Sequence, residues 1–169
     1  MLLYEDVISG DEMFSDAFPM KVVDDTVYEV DCSLITVKAG ADVDIGANPS
    51  AEDVDEALEE GATQVNNVVH SFRLQTTSFD KKSYLTYLKV GYMKSVKQEL
   101  AKSNPDRVEA FEKGAQAYAK KIVANFKDFE FYTGEGMNPD GMVALLNYRE
   151  DGITPYFTFW KDGLKEVKL

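Results

Sequence analysis

Apolar positions along this chain follow two rhythms. From residue 81 to residue 126 they return every three or four positions, the spacing of one face of an α-helix. Leu85, Leu88, Tyr92, Val96 and Leu100 form one such stripe, and Val108, Phe111, Ala115, Tyr118, Ile122 and Phe126 form a second. Ser78 or Asp80 can cap the first helix. Asn104-Pro105-Asp106 supplies a start for the second, with Asn as cap and Pro at the first helical position. Two long amphipathic helices joined by so short a connection predict an antiparallel hairpin. Each buries only one stripe, so the pair must also lean on another layer.

Elsewhere the chain reads as strands. Residues 2–8, 20–23, 26–31 and 33–38 are rich in Val, Ile, Tyr and Thr, with Asp24-Asp25 and Asp31-Cys32-Ser33 as turn points. Ser9 to Asp16 reads as an acidic loop interrupted by Met13 and Phe14, and strand character returns over Val65–Leu74. Phe129–Thr133, Met142–Leu146 and Tyr156–Trp160 complete the set, with Arg149-Glu150-Asp151-Gly152 as a tight turn. The expected class is α+β: a mainly antiparallel β assembly with one helical hairpin inserted.

Residues 39–64 fit neither rhythm. They contain no aromatic residue, and only Val43, Ile45, Val54 and Leu58 as larger aliphatics. Ser50-Ala51-Glu52-Asp53 could cap a short helix presenting Val54, Ala57 and Leu58, but Glu52/Glu56, Asp55/Glu59 and Glu56/Glu60 would repel one turn apart. The stretch predicts a mobile acidic loop, either a solubilising insertion or a segment that orders on a partner.

Composition sharpens this outline. The 169 residues include 44% hydrophobic and 12% aromatic side chains, enough to bury a core, and carry a net charge of −12. That sign argues against general binding to nucleic acid or to anionic membranes. The charge is unevenly placed: residues 1–32 carry −8 and 39–64 another −8, whereas residues 80–125 carry +5. The hairpin lysines Lys81, Lys82, Lys89, Lys94, Lys97, Lys102, Lys113, Lys120 and Lys121 mostly fall off the apolar stripes. They form either a solvated face or a dock for an acidic partner. No apolar run is long enough to span a bilayer, and the start turns acidic too early for a secretory signal, so a cytoplasmic location is expected.

Catalytic chemistry is sparse. One cysteine, Cys32, and one histidine, His70, cannot build a Cys/His zinc cage, and neither lies in a nucleophile–base pattern. Both read as structural or surface residues. Phosphate-cradling glycine motifs are missing. Asp42-Val43-Asp44-Ile45-Gly46 begins like a calcium loop, but position six is Ala47 and position twelve is Asp53, so only weak calcium affinity from acid density is expected. A non-enzymatic protein is the expectation, without a resident cofactor.

Three stretches resemble the translationally controlled tumour protein family. They are Ile45-Gly46-Ala47-Asn48-Pro49-Ser50-Ala51-Glu52, then Phe129-Glu130-Phe131-Tyr132-Thr133-Gly134-Glu135 continuing through Asn138-Pro139-Asp140-Gly141-Met142-Val143-Ala144-Leu145, and Tyr148-Arg149-Glu150-Asp151-Gly152-Ile153-Thr154-Pro155. Val30-Asp31-Cys32 and Asp42 to Ile45 suggest the fungal branch. One departure stands out: where relatives read Tyr-Leu-Lys-Gly-Tyr-Met-Lys, this chain inserts Val90 before Gly91. One residue turns all later side chains by about 100° on an α-helix unless a π-bulge absorbs it.

The resemblance implies a tent-like β core over residues 1–38, 65–79 and 126–169, a protruding hairpin over 80–125 and a mobile acidic loop over 39–64, all in one domain. It also implies cytoplasmic support of translation and growth through an elongation factor or the ribosome, tubulin and microtubule association with a partly cytoskeletal location, and calcium binding. Stress-dependent relocation to mitochondria belongs to the same set of expectations. A second functional class, regulation of nucleotide exchange on a small Ras-related GTPase, would fall by the same resemblance on Glu12. There an acid brought to a nucleotide site would repel phosphate or engage its lysine.

Overall fold

The computed structural model describes residues 1–38 and 62–168. Alternating apolar segments build its frame. A six-stranded antiparallel sheet runs in the order β3 (Met20–Val23), β4 (Val27–Asp31), β10 (Pro155–Trp160), β9 (Ala144–Tyr148), β8 (Glu130–Thr133) and β7 (Gln75–Thr77). A second sheet orders β11 (Leu164–Lys168), β1 (Leu2–Asp6) and β2 (Glu12–Ser15), and a two-stranded ribbon pairs β5 (Leu34–Lys38) with β6 (Ala62–Asn66).

The central strand β10 explains the layering. Side chains alternate across a strand, so Phe157 and Phe159 face one way while Thr158 and Trp160 face the other. Phe159 stacks on Phe14 of β2 at 4.5 Å, and Phe14 stacks on Tyr4 of β1, also at 4.5 Å. Trp160 meets Tyr118 of the hairpin edge-on at 5.9 Å. Register extends both layers, because Tyr28 pairs with Phe159 and Val27 with Trp160. The large sheet is therefore covered by the three-stranded sheet on one face and by the helices on the other. This is why Phe157, Thr158, Phe159 and Trp160 are all buried.

Helix α1 (Asn67–Phe72) occupies much of the stretch expected to be strand, and β6 takes residues 62–64 from the end of the expected loop. The Asn66 carboxamide accepts from the Val68 and Val69 amides at 2.9 and 3.1 Å. That cap satisfies two donors that a helix start leaves open, and it overrides the β preference of the two valines. Ser9 to Asp16 is likewise less of a loop than expected: Glu12–Ser15 is strand β2, and Met13 and Phe14 are fully buried. Of the loop expected over residues 39–64, residues 39–61 lie outside the described residues.

The hairpin's first helix is continuous through three segments, α2 (Lys81–Thr86), a π-helical turn (Tyr87–Tyr92) and α3 (Met93–Ser103). Asp80 closes a capping box with Ser83, its carboxylate accepting from the Ser83 amide at 2.7 Å. The π turn takes up Val90, which is exposed at 68%. Its effect is visible in the core. Tyr84, Leu88, Tyr92, Val96 and Leu100 are all buried, although steps of four residues would drift by about 40° each on a regular α-helix. The wider turn removes much of that drift and keeps the row on the sheet.

After a 3₁₀ turn over Pro105–Arg107, helix α4 (Val108–Ala124) returns antiparallel. Asn104 caps only through its main chain, its carbonyl accepting from the Arg107 amide at 3.0 Å. Phe111, Ala115, Tyr118 and Ile122 of α4 are buried as the spacing predicts. Two glycines set the closeness of packing. A Cβ on Gly114 would collide with the Thr26 hydroxyl, and one on Gly163 would collide with the Tyr92 hydroxyl. The hairpin thus lies against the sheet along one side and does not stand clear as a free spike.

Candidate partner-binding site

The hairpin cations divide by side. On the body side, Arg107 binds Asp162 through Nε and Nη2 at 3.0 and 2.7 Å, and Asp25 through Nη1 at 2.6 Å. Lys121 reaches Asp24 at 2.8 Å, and Lys161 reaches Asp25 at 2.7 Å. Both acids sit in the β3–β4 turn with positive φ, 54° at Asp24 and 52° at Asp25, a conformation short polar side chains tolerate. The Lys161 and Arg107 hydrogen bonds hold the Asp25 carboxyl below its usual range, and Asp162 and then Asp25 raise Arg107 further. This cluster fastens the hairpin to the sheet.

Within the hairpin, Lys97 pairs with Glu112 at 3.4 Å, Lys113 with Glu109 at 3.0 Å and Lys102 with Glu99 at 3.9 Å. Of the nine lysines expected to form a docking face, Lys97, Lys102, Lys113 and Lys121 are therefore matched by carboxylates of the same molecule. Lys81, Lys82, Lys89, Lys94 and Lys120 carry no ion pair among the described residues. The simple picture of an unneutralised positive hairpin is corrected to half a face.

Three of those five share one feature. On the outer side a groove of about 780 Å³ runs between the two helices. Its floor is apolar, with Leu85, Met93, Ala119, Val123 and Ala124, and its banks carry Lys89, Lys94 and Lys97 on one side and Glu112, Gln116 and Lys120 on the other. The π turn helps make the first bank: an i→i+5 bond runs from the Met93 amide to the Leu88 carbonyl, so Lys89 and Lys94 stand one turn apart. Sequence reasoning found the lysines but missed the floor. The signal lay in the small residues of α4, Ala119 and Ala124, which leave room between the helices.

Glu12 lies elsewhere. It is exposed at the start of β2, where the β1–β2 register shifts, in a cleft of about 580 Å³ with Gly10, Asp11, Arg73 and Glu135. Arg73 pairs with Glu135 at 3.4 Å, and the Asp11 carboxylate accepts from the Gly136 amide at 3.3 Å. Met13 and Phe14 beside Glu12 point into the core and anchor it, so they offer nothing to a partner.

Cys32 is buried, and burial pushes its thiol up to about 11, which keeps it protonated and inert at neutral pH. His70 is exposed in the last turn of α1, not in a strand. Among the described residues no group of three or more His, Cys, Asp or Glu side chains is gathered for a metal, and the Asp42–Asp53 acids lie outside them. No described helix is long and apolar enough to cross a membrane.

Comparison with known proteins agrees with this architecture. A family model described as translationally controlled tumour protein matches residues 1–165. The chain is 72% identical over 169 residues to the translationally-controlled tumor protein homolog of Yarrowia lipolytica, and 70% identical over 169 residues to that of Mycosarcoma maydis, with 100% of each chain covered. Among solved structures, the translationally controlled tumor-associated protein of Schizosaccharomyces pombe superposes with a TM-score of 0.83 at 64% identity, covering 100% of both chains. The NMR structure of the protein from Caenorhabditis elegans gives 0.69 at 33% identity, covering 100% of this chain and 99% of that one. A whole-length match at such identity, on the same mixed α+β frame, settles the grouping: this chain belongs to the translationally controlled tumour protein family.

Proposed function

We propose that this protein is a non-enzymatic binding protein that docks acidic segments of partner proteins on the outer side of its hairpin. Through that dock it associates with tubulin and supports translation and growth. The observation that carries the reading is the placement of Lys89, Lys94 and Lys120 around one groove without counter-charges among the described residues. Exposed ammonium groups on a body of opposite net charge steer acidic partners to that side. Cosedimentation with microtubules at low salt tests it. The triple reversal Lys89→Glu, Lys94→Glu, Lys120→Glu should abolish pelleting, while the reversal of Lys102 and Lys113, already paired, should change it by no more than about twofold. Equal pelleting of native protein and triple variant would sink the reading.

A second reading has its own observation. Glu12 is exposed in a cleft whose neighbouring side chains are fixed by Arg73–Glu135 and by Asp11 on Gly136. An acid so presented can lower nucleotide affinity on a small Ras-related GTPase by contacts made only in the nucleotide-free state. Nucleotide release from such a GTPase should slow with Glu12→Ala, and unchanged release removes this role.

A further inference from the structure

The groove has two chemistries, and together they define the segment that fits it. Its floor is apolar at Leu85, Met93 and Val123, while its banks carry Lys89, Lys94 and Lys120. An extended run of glutamates would satisfy the banks and leave the floor facing water. A wholly apolar helix would fill the floor and strip water from three ammonium groups without pairing them, which is costly. From Leu85 to Lys97 the groove follows about twelve helical residues, roughly 18 Å, or about three turns of an added helix.

Resting on the reading of the hairpin as an acidic dock, we propose that the groove receives an amphipathic acidic α-helix of a partner protein. That helix lies between the two hairpin helices as a third, with apolar anchors at i, i+3 or i+4, and i+7 on the floor and carboxylates on its flanks. The matched pair Lys97–Glu112, at 3.4 Å, neutralises one end of the groove. The partner's acids therefore sit opposite Lys89, Lys94 and Lys120, at the other end. Apolar burial supplies the affinity, and the lysines supply orientation and rate of encounter.

The test uses the full chain and three fluorescein-labelled 14-residue peptides in anisotropy titrations at low salt. One carries leucines at helical spacing with glutamates on the flanks, the second scrambles the same composition, and the third is glutamate only. The patterned peptide should bind about tenfold tighter than either control and become helical on binding. Gln116→Trp, a change at an exposed groove position that fills the space, and the triple lysine reversal should each weaken it by about tenfold with melting temperature unchanged. Equal binding of patterned, scrambled and glutamate-only peptides would overturn the inference while leaving the charge dock intact. Loss with the triple reversal but none with Gln116→Trp has the same meaning. If no peptide binds and microtubule pelleting ignores the triple reversal, both readings fall. A concentration-dependent dimer that competes with the patterned peptide would identify a second copy as the occupant and overturn the proposal.

Discussion

The two sides of the helical hairpin are made from the same kinds of residue and end in opposite conditions. Toward the sheet, Tyr84, Tyr92 and Tyr118 are buried, and the cations Arg107 and Lys121 are fastened to Asp25, Asp162 and Asp24. Away from it, Lys89, Lys94 and Lys120 surround a groove and pair with nothing among the described residues. Positive charge on one side is part of the joint that holds the fold; on the other it takes no part in that joint. Counting lysines would have scored the two sides alike. What separates them is whether the sheet presents a carboxylate within reach.

Alkali should break the inner side first and most completely. Burial raises the Tyr84, Tyr87 and Tyr92 hydroxyls above the usual tyrosine value of about 10, with Tyr118 adding to it at Tyr84 and Asp6 adding at Tyr92. The folded state thus keeps protons that the unfolded chain releases. This stabilisation is complete below about pH 10 and declines as the pH rises beyond it. Cys32, raised to about 11, adds in the same direction. Phenolate absorbance and loss of helical circular dichroism should therefore rise together in one step. Smooth titration through about pH 10 with helicity intact would show that the inner side is wetter than the packing indicates.

Next in size is the joint itself. Arg107→Ala leaves Asp162, whose side chain is 7% exposed, as a buried carboxylate without its partner. We expect a loss of about 2–4 kcal/mol in chemical denaturation. The matching change on the outer side, Lys94→Ala, should stay within about 0.5 kcal/mol. Similar losses for the two variants would erase the distinction between fastened and unfastened cations.

Much of this frame was readable in the chain. The hairpin announced itself because Phe111, Ala115, Tyr118 and Ile122 repeat at helical steps, and every one of them is buried. The insertion at Val90 was visible as a phase problem, and the π turn is its physical solution. Other features had no local signature. Helix α1 was hidden because Val68 and Val69 favour strands, and one carboxamide cap outweighed them. Strand β11 has only two apolar residues, Leu164 and Val167, in five positions and no strict alternation, and is held by pairing with β1 across nearly the whole length of the chain. The joint joins residues 82 and 97 positions apart, so no window of sequence could show which lysines it would consume. The candidate site was half legible for the same reason: lysine spacing is local, neutralisation is not.

The smallest effect tests whether the joint is electrostatic at all. Asp25 is held below the usual carboxylate range by Lys161 and then Arg107, and its side chain is 63% exposed. A folded-state value below the unfolded one means that the stabilisation is present above about pH 4 and is lost as the pH falls through the lowered value. Exposure and screening limit its size, so Asp25→Asn should cost about 1 kcal/mol or less at neutral pH. The difference between native and variant should shrink from about pH 4 downward, and should also shrink in high salt, where the Debye length falls to about 3 Å at 1 M. A difference independent of both pH and salt would mean that Asp25 acts through the geometry of its turn, where its φ is 52°, and not through its charge. The fastening of the inner side would then rest on Arg107 with Asp162 and on Lys121 with Asp24.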